Sequence, residues 1–144
     1  MLMCSSSACR WSSTIFWLES VTSPAMRRLV SDEHGIPSGG EEPFGAFDSQ
    51  LGESDFDDGF VVQEERPTFS LAGAGLRITV EFLAGYRYAQ VFAPKDKDYI
   101  AIEPMTAATN ALASGRGLKL VEPGERFRAA FGVTVDSTAE SNRP

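Results

Sequence analysis

Glu103 closes the apolar segment Tyr99-Ile100-Ala101-Ile102 and is followed at once by Pro104, a position at which a carboxylate calls for an explanation. By strand alternation Tyr99, Ala101 and Glu103 share one face, and on the preceding candidate strand Tyr88, Gln90 and Phe92 share one face as well. Paired as a hairpin through residues 94–97, these strands set an amide and a carboxylate side by side next to aromatic rings. Aromatic platforms with a few directed polar groups are suited to holding sugars, and a carboxylate among them can act as a general base. The competing reading is that Glu103 merely ends a strand in water.

Other chemistries find little support. Gly73-Ala74-Gly75 begins like a dinucleotide fingerprint, but Ile78 stands where the third glycine belongs and a strand follows, so the segment reads as a turn. Asp55-Phe56-Asp57-Asp58-Gly59 looks like a calcium loop, yet with Gly59 at the sixth loop position Ser54 comes first and Phe56 third, where oxygen ligands belong. His34 is the single histidine, so no Ser-His-Asp set is expected, and with Cys4 and Cys9 as the only cysteines a zinc site is not expected either. Any catalysis rests on carboxylates, with no metal.

The elements that must position these residues are short strands. Leu76-Arg77-Ile78-Thr79-Val80-Glu81-Phe82 alternates apolar and polar without a slip, and Phe127, Ala129, Phe131, Val133 and Val135 do the same. Weaker candidates span 60–63, 68–72, 87–93, 98–103 and 118–121, separated by proline and glycine breakers. Seven short strands with no convincing amphipathic helix predict an all-β fold, an antiparallel β-sandwich. Three zones differ in composition. Residues 1–30 hold both cysteines and both tryptophans, show no sustained period and read as a tail. Residues 31–66 carry eleven acids against the single base Arg66 and read mostly as solvated loop. The β domain extends to 136, and residues 137–144 read as a disordered tail.

The chain has 144 residues, enough for one domain, and 13 basic against 20 acidic residues give a net charge of −7. That balance argues against nucleic acid or an anionic membrane surface as partner. No apolar run approaches the length of a membrane span, and serines and Arg10 interrupt the start where a secretory signal needs a continuous apolar core. The expected compartment is reducing and cytoplasmic.

Five segments, in order, resemble the aldose 1-epimerase (galactose mutarotase) family. The fullest is Tyr99-Ile100-Ala101-Ile102-Glu103-Pro104-Met105-Thr106-Ala107-Ala108-Thr109-Asn110-Ala111-Leu112, which is similar to the family's C-terminal signature. His34-Gly35-Ile36-Pro37-Ser38-Gly39 resembles its Ile/Leu-Pro-Thr-Gly turn, and Phe56-Asp57-Asp58-Gly59-Phe60 its Phe-Asp-x-x-Phe segment. Tyr88-Ala89-Gln90-Val91-Phe92 is similar to its glutamine-bearing strand, and Leu120-Val121-Glu122-Pro123-Gly124-Glu125 to its Pro-Gly-Glu turn. Residues 1–30 show no such likeness.

The resemblance implies the C-terminal part of a β-supersandwich that interconverts the α and β anomers of an aldohexose without a cofactor. It implies Glu103 as catalytic base, with Asp57 and Gln90 binding sugar hydroxyls. The family's proton-donating histidine belongs to upstream segments with no match here, and His34 lies outside either histidine motif. Impaired activity, or a non-catalytic carbohydrate-binding remnant, is therefore the expectation. Family members acting on phosphorylated hexoses need bases near the phosphate, for which Arg87, Arg116 and Lys119 are available. Losing the N-terminal half of such a fold uncovers sheet faces and edges, so self-association is expected.

Overall fold

A computed structural model describes residues 2–5, 18–50, 55–95 and 99–138. The strands in chain order are β1 (Leu2–Ser5), β2 (Leu18–Ser23), β3 (Met26–Ser31), β4 (Pro37–Phe44), β5 (Phe47–Ser49) and β6 (Phe56–Val62). They continue with β7 (Thr68–Gly73), β8 (Leu76–Ala84), β9 (Tyr88–Ala93), β10 (Tyr99–Met105) and β11 (Ala130–Ser137), and one short helix, α1 (Ala111–Ser114), lies between the last two. Every strand pairing is antiparallel. A six-stranded sheet runs β1-β10-β9-β6-β3-β4 and a five-stranded sheet runs β11-β8-β7-β2-β5. The fold is an all-β antiparallel sandwich. No helix among the described residues is long and apolar enough to cross a membrane.

The core lies between the sheets. Val21, Phe69, Leu71, Val80 and Phe82 come from the five-stranded layer, and Met26, Phe60, Val62, Val91, Ile100 and Ile102 from the six-stranded one. Full burial of each large side chain contributes about 1.5–3 kcal/mol. The Gly73-Ala74-Gly75 turn falls as expected: the β7–β8 hairpin places Ala74 at φ 48° and Gly75 at φ 75°, the left-handed pair that matches the twist of the flanking strands.

Several sequence expectations need correction. Residues 1–30 are not simply a tail. β2 pairs with both β7 and β5, β3 pairs with both β6 and β4, and Val21, Met26 and Leu29 are buried. Met26 enters the core while Leu29 is buried on the opposite side of its sheet, so β3 is covered on both sides and its sequence does not alternate. The acidic stretch 31–66 is likewise not mostly loop, because β4, β5 and β6 lie within it. Its carboxylates tolerate a sheet because Arg27 pairs with Glu41 and Arg28 with Glu42, each at 2.7 Å.

Residues 118–121 form no strand, and Leu120 is 85% exposed. β10 runs on through Pro104 to Met105; among the described residues β1 pairs with β10 from Tyr99 to Ile102, so Pro104 has no described neighbour on that side and a proline is tolerated. β11 starts at Ala130, leaving Phe127 outside it. The expected tail from 137 starts too early, since Ser137 belongs to β11 and Thr138 N–H still donates to Gly75 O. Residues 139–144 lie outside the described residues.

Candidate functional site

Glu103 on β10 stands directly opposite Gln90 on β9, in a hairpin whose strands pair from Met105–Tyr88 to Ala101–Phe92. Ala89, Val91, Ala93, Ile100 and Ile102 fill the core, so Tyr88, Gln90, Phe92, Tyr99 and Glu103 occupy the other face of the six-stranded sheet. On the far side of β9, Gln90 pairs with Gly59 of β6, which brings Asp57 onto the same outer face. The Gln90 Nε2 group donates to Asp57 Oδ1 at 2.8 Å. All three candidate residues therefore meet on one surface, and the Phe92 and Tyr99 rings lie 5.9 Å apart on that side.

The floor of this surface explains the orientation of the amide. Gly59 bears no side chain, and a Cβ there would lie 3.3 Å from Gln90 Oε1 and 3.1 Å from Leu29 Cδ1. Bare backbone at that point lets the glutamine lie flat across the strand, held at Nε2 by Asp57 and backed at Oε1 by Gly59. Glu103 is half-buried and makes no hydrogen bond or ion pair with any described residue. The surface thus offers one unpartnered carboxylate, a second carboxylate with spare lone pairs, and an oriented amide between them. Such a set can accept protons from neighbouring hydroxyl groups while donating one hydrogen bond back.

A second polar group borders this surface. Leu29 of β3 lies against Gly59 and pairs in turn with Glu41 of β4, so Glu41, Leu29, Gly59, Gln90 and Glu103 follow one another across five strands. At the Glu41 end Arg116 forms an ion pair with the carboxylate and donates to Gly39 O at 3.1 Å. Glu41 also takes Arg27, so two arginines neutralise it. Segment 106–118 therefore begins beside Glu103 and is anchored at the opposite end of the row. It crosses close to Tyr88: at Gly117, φ +70°, a Cβ would come within 2.5 Å of Tyr88 Cε2.

Reading the sequence left out Gly59, Leu29 and the Arg116–Glu41 anchor. A glycine within the strand-like run 56–62 is a recognisable sign of close approach. Nothing local signals an ion pair between residues 75 positions apart. His34 sits at the tip of the β3–β4 hairpin with 74% of its side chain exposed, in a turn closed by Asp32 Oδ1 accepting from the His34 and Ile36 N–H groups. It belongs to that turn and not to the Glu103 surface. Of the bases considered for a phosphate, Arg116 is held by Glu41.

No protein-family model and no curated protein matches this chain.

Proposed function

We propose that the chain is an aldose 1-epimerase-type isomerase, similar to the galactose mutarotases, that acts in the cytoplasm on an aldohexose with Glu103 as base. The support is the adjacency of Glu103 and Gln90, with Asp57 bonded to the same amide, in a sequence whose motifs follow the family's order. Glu103 takes the proton from the C1 hydroxyl while the ring oxygen receives one, and the ring opens. The aldehyde rotates, and reclosure with return of the proton from Glu103 gives the other anomer. Asp57 and Gln90 hold the remaining hydroxyls, and Phe92 and Tyr99 offer apolar surface to the sugar ring. No histidine stands on this surface among the described residues, so in this reading the ring-oxygen proton comes from water and the rate is low.

One observation favours a second reading, that of a carbohydrate-binding protein without turnover: the single histidine is at an exposed hairpin tip. Polarimetry on freshly dissolved α-glucose and α-galactose separates the two. The isomerase relaxes them faster than buffer does, and Glu103→Gln removes that enhancement. Sugar titration followed by nuclear magnetic resonance moves the Gln90 side-chain amide under either reading. Shifts without faster relaxation leave the binding protein; neither response sinks both.

A further inference from the structure

We propose that β11 is the contact strand of a two-fold symmetric dimer, in which two copies of this chain pair their β11 edges antiparallel and join the five-stranded sheets into one of ten. β11 ends its sheet, and the side away from β8 has no partner among the described residues. Thr138 N–H donates to Gly75 O at 2.7 Å. In the β11–β8 register that makes Gly132, Thr134 and Asp136 the residues bonded to β8, so the N–H and C=O groups of Phe131, Val133 and Val135 point to the open edge.

The side chains of those same three residues are apolar and only partly covered, Phe131 by the Tyr86 ring at 6.0 Å. Their partners on β8 include Phe82 and Val80, 1% and 0% exposed, whereas Phe131, Val133 and Val135 are 41%, 41% and 60% exposed. The edge also lacks the guards that sheets use against pairing. β4, the last strand of the other sheet, carries Pro37, Glu41, Glu42 and Pro43, while Phe131-Gly132-Val133-Thr134-Val135 has neither charge nor proline.

The occupant is a second copy because the strand is complementary to itself. Placing Val133 against Val133 of the partner sets each Phe131 opposite the other chain's Val135 and each Gly132 opposite a Thr134. Every outward N–H and C=O from 131 to 135 then finds a partner, and no like charges face one another. The ends match in charge: Ala130 of each copy comes opposite Asp136 of the other, and Arg128, two residues before β11, brings a long basic side chain to that end. Neither Arg128 nor Asp136 has an ion-pair partner among the described residues. The contact uses each β11 once, so it closes at two chains.

Sedimentation velocity of the full chain across micromolar concentrations tests this. The wild type sediments as a dimer. Val133→Pro removes an N–H that the β8 ladder does not use, so it keeps the far-ultraviolet circular dichroism of the wild type and raises the dimer Kd about tenfold or more. Asp136→Arg weakens the dimer, and adding Arg128→Asp restores it, a reversal that does not depend on how Val133→Pro folds. A wild type that stays monomeric, a folded Val133→Pro that dimerises as before, or a double charge exchange that fails to restore association overturns the proposal.

Discussion

Asp58 shows how one carboxylate can oppose the fold while touching a cation. It lies on the core-facing side of β6, 3.7 Å from Arg28, whose guanidinium also bonds Glu42 and sits 5.8 Å from the Phe44 ring centre. Burial pushes the Asp58 carboxyl above its ordinary value, and the nearby Arg28 only partly offsets this. A carboxyl raised in the folded state contributes stability that is complete below its unfolded pKa of 3.8 and is lost as pH rises through the folded value. Asp58→Asn should therefore be at least as stable as the wild type at neutral pH despite losing the Arg28 contact, and the two should converge on acidification. Urea unfolding at pH 7 and pH 4 checks this; a neutral-pH loss beyond about 1 kcal/mol would mean that the ion pair wins. At this scale the Glu103–Gln90 adjacency was legible, because alternation and a short hairpin are local. The Gln90–Asp57 bond was not legible from pattern, because it depends on β6 lying beside β9, 33 residues away.

Among the elements, segment 106–118 depends on a close approach. Gly117 packs its Cα against the Tyr88 ring in a left-handed conformation, while Gly35, at φ +75°, has nothing within 4 Å of its would-be Cβ. Gly35→Ala should lose only the backbone cost of that conformation, about 1–2 kcal/mol. Gly117→Ala should lose about 1–3 kcal/mol more, because the ring has to move. Denaturant unfolding of the two variants gives that difference, and limited proteolysis should cut Gly117→Ala faster within 106–118. Equal losses would mean that Tyr88 yields freely. β8 was readable because half-buried strands alternate. β3 was not, being covered on both sides, and β4 was hidden by acids whose arginine partners lie 14 residues earlier. Residues 118–121 look like a strand because four residues of mixed pattern carry little information: Leu118 is half-buried and bonded to Gly115, while Leu120 and Val121 are exposed.

The whole molecule is held by apolar contact between its two layers. Phe60 and Phe82, each 1% exposed and one in each sheet, belong to one buried cluster, and across the layers the Phe47 ring of β5 meets the Phe56 ring of β6 at 6.2 Å. Phe60→Ala should cost about 3–5 kcal/mol, a large part of the stability of a domain this size, and chemical denaturation reads it directly. A loss under about 1 kcal/mol would show that the layers are not joined through this ring. The sandwich class was legible from strand count and turn spacing, whereas the order of strands within each sheet was not, since neighbours such as β3 and β6 are joined by no local signal.

Only Pro24 and Ala25 separate β2 from β3, yet these two strands belong to different layers. On the ribosome, then, β2 and β3 emerge with Val21 and Met26 committed to a core whose other members are mostly unmade. β3 can fold back with β4 at once, but β2 waits for β7, and β10 and β11 are the last strands of the sandwich to arrive. Lasting closure of the sandwich comes only once β10 and β11 have been made, so the apolar groups of β2 stay without their partners while the later strands are translated.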